Sequence, residues 1–204
     1  MINSRINFEI RRKIFHLCSL IFPVAYIFMQ KLSMAIALTI ITGITLYLDI
    51  SRHYNHKIRI WVEKLLGRFL REKEDSGQFT LSGASFMAFG LLLSCLMFSK
   101  GLTITSWFVF IISDCAASLV GLKFGVPLFN GKTLAGSIAF FTSAVLIGIL
   151  SYFTIGFHTT FFTILLSALA TTLVEFFSNQ IKIDDNFSIP IVYGLVTVLT
   201  VLTG

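Results

Sequence analysis

The chain has 204 residues, 55% hydrophobic and only 13% charged, with a formal net charge of +6 and a mean hydropathy of +0.85. A soluble domain carries about 25% charged residues, so this composition excludes a water-soluble enzyme. It specifies an integral membrane protein whose length suits one bundle, a single domain over residues 1–204.

From the N-terminus, "MINSRINFEIRRKIFH" is charged before the first apolar stretch, and no small-residue cleavage site follows. A removable signal peptide is therefore not expected. Seven apolar segments follow, at 14–30, 33–49, 79–99, 102–122, 134–155, 158–178 and 187–203. Each is near the ~20 residues that cross ~30 Å of hydrocarbon. The expected fold is an all-α bundle of about seven transmembrane helices. Cys18, Cys95 and Cys115 lie in apolar runs without CxxC or Cys/His spacing and read as buried small hydrophobes. No internal repeat, low-complexity tract or linker stands out.

The basic residues set the orientation. With the N-terminus inside, Arg5, Arg11, Arg12 and Lys13, the seven Lys and Arg between Arg52 and Lys73, and Lys123, Lys132 and Lys182 all face the cytosol. Only Lys31 and Lys100 of the 16 basic residues fall outside. The expectation is N-in and C-out, with any chemistry on the cytosolic face. The sequon at 186–188 then lies inside and is discounted.

The long inner loop carries Ile58, Trp61, Val62, Leu65, Leu66 and Phe69 at helical spacing, with Lys57, Lys64, Arg68 and Arg71 off that stripe. This predicts a basic amphipathic helix near 56–72, lying on the membrane surface. Either it packs across the bundle mouth or it gathers lipid. His53 and His56 are three apart but have no third ligand nearby, so no metal is assigned to them.

Several polar residues are unusual for such a chain. Arg12, Lys13 and His16 open the first helix on one face. They suit anion binding or plain positive-inside anchoring. Asp114 lies about 12 Å of helix from Leu122, below the lipid surface. A carboxylate there costs about 3 kcal/mol and needs a partner or a wet cavity. Ala116, Ala117, Ser118 and Gly121 follow it and allow close approach.

"NGKTLAGS" at 130–137 brings Gly131, Lys132 and Thr133 to the start of the next helix. It is not a Walker A loop. The spacing from Gly125 is one residue too long, and a helix rather than a strand precedes it. Free N–H groups there can still meet an anion; a loop with one snorkelling lysine is the alternative. Glu175, one turn after Thr171, is a second intramembrane acid. Asp184, Asp185 and Asn186 form an oxygen-rich corner that also suits a helix N-cap. Lys and Arg near several carboxylates fit a nucleoside triphosphate with Mg²⁺, which takes carboxylates plus phosphate oxygens.

"RRKIFHL" (11–17), "SDCAASLVGLKFG" (113–125), "GKTLAGSIAFF" (131–141) and "VEFFSNQIKIDDNFSIP" (174–190) resemble the polyprenol kinase family, which includes dolichol kinase, phytol kinase and the CTP-dependent diacylglycerol kinase and is related to phosphatidate cytidylyltransferase. The resemblance implies transfer of the γ-phosphate of CTP to a membrane lipid alcohol (prenol, phytol, polyprenol or diacylglycerol), with Mg²⁺. CDP-lipid synthesis is the alternative. It implies Asp114, Lys132 and Glu175 as catalytic residues. Arg12, Lys13, His16, Gly121, Gly131, Lys132 and Thr133 would bind nucleotide phosphate, and Asp114, Asp184, Asp185 and Asn186 the metal. One departure is Ala135, where the family usually has Glu. The expected partners are CTP, a lipid alcohol and the bilayer, without nucleic acid. The expected location is a bacterial inner membrane, or the endoplasmic reticulum in a eukaryote.

Overall fold

The structure is a computed structural model that describes residues 13–14, 16–60, 81–128, 131–181 and 183–203. Arg12 and residues 61–72 of the expected surface helix lie outside the described residues; residues 56–60 are helical.

Seven apolar helices are present among the described residues. They are α1 (His16–Phe28), α2 (Lys31–Tyr54), α3 (Gly83–Met97), α4 (Lys100–Phe124), α5 (Leu134–Thr154), α6 (Phe161–Ile181) and α7 (Asp185–Thr203). Five of them, α2 and α4–α7, are long and apolar enough to cross a membrane; α1 and α3 are shorter. Their bounds follow the apolar segments closely, with one informative exception. Helix α2 continues past the expected end at 49 to Tyr54, because Asp49, buried at that end, finds partners on α3.

Helix α4 is the central element. Leu102, Ile104, Trp107, Val109, Phe110 and Ile111 are all buried, and the Trp107 Nε1 donates to Ser94 Oγ at 2.7 Å. The outward faces of the other helices remain apolar, with Ile36, Ile40 and Ile44 on α2 and Leu146, Leu150 and Phe153 on α5 exposed. That is the pattern of a bundle solvated by lipid, with polar groups turned inward. Val109–Ser113 form a π-helical turn within α4, immediately before Asp114. Such turns insert one extra residue and occur often at functional sites.

A repeat invisible in the sequence emerges at the far end of the bundle. Helices α1–α2 and α3–α4 are two hairpins with matching two-residue turns, Met29-Gln30 and Phe98-Ser99, each followed by a lysine that opens the long helix. Lys31 donates to the carbonyls of Leu96 and Phe98. Lys100 donates to those of Ile27 and Met29. Each lysine therefore caps the helix end of the other hairpin. Tyr26 and Cys95, 69 residues apart, occupy equivalent places and touch at 3.6 Å. The two hairpins run in the same direction with their tips together, so they are related by a pseudo-two-fold rotation.

Candidate functional site

The end of the bundle opposite those tips gathers the buried charges. Lys13 is 5% exposed and Asp114 4%. The Lys13 Nζ donates to Asp114 Oδ2 at 2.5 Å, and His16 Nε2 lies 3.4 Å from the same oxygen. The π turn sets up this meeting, because Phe110, within it, packs edge-on against the His16 ring at 4.8 Å. Cys115 Sγ lies 3.7 Å from the Lys13 carbonyl. The first and fourth helices are thus joined beside the acid.

The loop between α4 and α5 delivers the second cation. Pro127 pairs with Thr133 in an isolated antiparallel bridge, and Leu128 N–H donates to the Lys132 carbonyl at 2.8 Å. Gly131 turns the chain with φ +77°, a left-handed conformation that favours glycine. Thr133 caps α5, its Oγ1 accepting from Gly136 N–H at 3.0 Å. The turn places Lys132 Nζ 2.5 Å from Glu175 Oε1 and 3.5 Å from Asp185 Oδ2. Burial alone would depress the Lys132 ammonium, but the Asp185 and Glu175 carboxylates outweigh it, and its pKa is raised. Asp114 contributes to the same shift, so the two clusters lie within electrostatic reach of each other.

The glycines of the motif work by close approach. A Cβ on Gly121 would stand 2.7 Å from Thr133 Oγ1, and one on Gly136 would stand 2.8 Å from the Ala117 carbonyl oxygen. These positions let α4 and α5 pack backbone to backbone beside Thr133. The nearest neighbour of a Cβ at Gly121 is Thr133. Thr171 is buried on the face of α6 that carries Glu175, as its spacing predicts, and its hydroxyl donates to the Ser167 carbonyl.

The acidic corner divides into three roles. Asp184 accepts from Asn186 N–H at 3.0 Å through its side chain, and its carbonyl accepts from Phe187 and Ser188 N–H. It caps α7. Asp185 turns to Lys132. Asn186 turns to α3, its Nδ2 being 3.1 Å from where a Gly83 Cβ would stand. Among the described residues no three His, Cys, Asp or Glu side chains converge as a metal-binding group. The acids that meet the lysines are hard oxygen donors, and Mg²⁺ needs only one or two of them beside phosphate oxygens. The donor chemistry therefore fits Mg²⁺.

Sequence reasoning passed over two features here. One is the π turn, for which no local signal exists. The other is Asp49, 5% exposed, which accepts from Ser82 N–H, Ser82 Oγ and Ser85 Oγ at 2.8, 2.8 and 2.6 Å and pairs with Arg52. An acid inside an apolar segment, with Arg three residues later, was the available signal.

No protein-family model matches the chain, and no solved structure matches it. Among curated proteins, it is 34% identical over 144 residues to the CTP-dependent diacylglycerol kinase 1 of Saccharomyces cerevisiae, covering 68% of this chain and 48% of that enzyme. It is 34% identical to an uncharacterized protein of Methanocaldococcus jannaschii, over 92% of each chain. It is 49% identical to an uncharacterized protein of Rickettsia prowazekii, over 95% of each. The chain belongs to one family with the Rickettsia and Methanocaldococcus proteins, and over about two thirds of its length it is similar to the yeast kinase.

Proposed function

We propose that the protein is a CTP-dependent lipid kinase, moving the γ-phosphate of CTP to the hydroxyl of a membrane lipid alcohol at the cytosolic face. The observation that carries this reading is the meeting of Lys13 and His16 with Asp114, and of Lys132 with Glu175 and Asp185, at one end of an apolar bundle. The similarity to a CTP-dependent diacylglycerol kinase supports it. The alcohol is a prenol, phytol, a polyprenol or diacylglycerol. The proposed topology is seven spans, N-in and C-out, in a bacterial inner membrane. It puts the charged end inside and the tips with Lys31 and Lys100 outside.

The cations are held by carboxylates. A triphosphate offers the same lysines a denser array of acceptor oxygens, so its arrival exchanges one ion pair for another in a site already shaped for it. Lys13 and Lys132 then face the phosphates. The alcohol oxygen attacks the γ-phosphorus, the bond to the β–γ bridging oxygen breaks, and CDP leaves. The alcohol proton passes to a carboxylate, Asp114 or Glu175. Most of the acceleration comes from positioning and charge placement. Asp114 and Asp185 would hold Mg²⁺, which when bound neutralises charge on the transferring phosphates. Glu175, reaching Lys132 from α6, takes the part of the acid that Ala135 lacks.

The test uses purified protein in nanodiscs with a panel of the four alcohols and CTP labelled at the α or the γ phosphate. Label from the γ position on lipid is the expected result. Label from the α position on phosphatidate, a lipid phosphate supplied beside the alcohols, instead means CDP-lipid synthesis with release of pyrophosphate. No label from either position, with any alcohol, overturns the proposal.

A further inference from the structure

The pseudo-two-fold that relates the hairpins extends to the charged end. Advancing Lys13 and His16 by the 69 residues that separate Tyr26 from Cys95 arrives at Ser82 and Ser85. Each of these two pairs meets an aspartate on the long helix of the other hairpin. Lys13, ahead of α1, and His16 of α1 meet Asp114 of α4, and Ser82, the N-cap of α3, and Ser85 of α3 meet Asp49 of α2. The π turn adds a residue to α4 ahead of Asp114, so the two aspartates correspond through the pairs that meet them rather than position by position. The duplicated frame therefore carries two buried aspartates in corresponding surroundings.

The two copies differ in what holds the acid. Asp114 faces a lysine, whose charge a phosphate can share, and a histidine. Asp49 faces two hydroxyls and a backbone N–H on one oxygen, with Arg52 on the other. Four donors from within the protein already converge on it. What it does is fasten the start of α3.

That end of α3 supports the site. A Cβ on Gly83 would meet Asn186 Nδ2 at 3.1 Å, and one on Gly90 would meet the Asn186 carbonyl oxygen at 2.9 Å and Phe187 Cα at 3.0 Å. The Phe89 and Phe187 rings stack at 5.6 Å, 11° from parallel. The first turn of α7 thus rests on α3, and Asp185 in that turn holds Lys132. We infer that Asp49 is the mechanical twin of Asp114 and a positioning residue: through Ser82 and Ser85 it fixes α3, and through α3 it sets the Asp185–Lys132 pair. The part of this that concerns turnover rests on the kinase reading.

The experiment uses full-length Asp49→Asn in nanodiscs, with Ser85→Ala as a milder variant that removes one hydroxyl. Hydrogen exchange is followed in peptides covering 82–90, 184–188 and 163–171. Asp49→Asn is expected to speed exchange at least tenfold in the first two and leave the third within twofold; Ser85→Ala does the same to a smaller degree. In the kinase assay KM for CTP rises severalfold while kcat stays within twofold. Faster exchange at 82–90 with 184–188 unchanged, or equal acceleration in all three, overturns the inference. So does an unchanged KM in a protein that phosphorylates lipid. Should the wild-type protein phosphorylate no lipid, the kinase reading fails by itself and the exchange pattern still decides the positioning claim.

Discussion

Lys13 and Asp114 form the most buried ion pair of the site, with side chains 6% exposed on both sides. Removing one partner leaves an uncompensated charge among helices. Breaking a buried pair in that way costs about 3–5 kcal/mol, whereas replacing both partners with apolar groups of similar volume is close to neutral. Lys13→Met and Asp114→Leu should therefore each lower Tm by about 6–20 °C, at roughly 2–4 °C per kcal/mol for a chain of this size. The double variant should return to within about 1 kcal/mol of wild type, a coupling of about 5 kcal/mol or more. Turnover should behave differently. On the proposed function it should fall in both single variants and stay lost in the double, because restored packing does not restore the groups proposed to face the phosphate. The assay pairs thermal unfolding of purified protein with γ-phosphate transfer from labelled CTP. A double variant as unstable as the sum of the singles would refute the pairing. A double variant that is both stable and active would remove these residues from the chemistry.

Two further outcomes follow from the α4–α5 junction. Lys132 has a raised pKa; a cation so shifted stabilises the fold fully below the unfolded lysine value, about 10.4, and loses that stabilisation only as pH rises through the folded value. Neither stability nor turnover should show a loss assignable to Lys132 between neutrality and that value; an alkaline fall near pH 8 that Lys132→Met abolishes would contradict this. Gly136→Ala places a methyl 2.8 Å from the rigid Ala117 carbonyl oxygen and should destabilise by about 1–3 kcal/mol. An unchanged Tm would show that α4 and α5 part without cost.

The sequence by itself determined the membrane class, the seven apolar helices to within a few residues, and most of the polar groups that meet at the charged end. It did so because burying charge in hydrocarbon is costly. Lys13, Asp114, Lys132, Glu175 and Asp185 stood out against an apolar background before any contact was known. The pattern along one helix could not say which cation meets which acid. Asp114 is joined by Lys13 and His16 from α1, while Lys132 crosses to α6 and α7, and those choices depend on helix packing over long sequence distances. Asp184 and Asn186 looked like equals of Asp185, yet one caps a helix and another faces α3, because the first turn of a helix points successive side chains in different directions. The two-fold frame was invisible for a related reason. The crossed lysine caps use backbone carbonyls, which every residue supplies, so only the tertiary structure could bring the two hairpins, and with them Asp49 and Asp114, into correspondence.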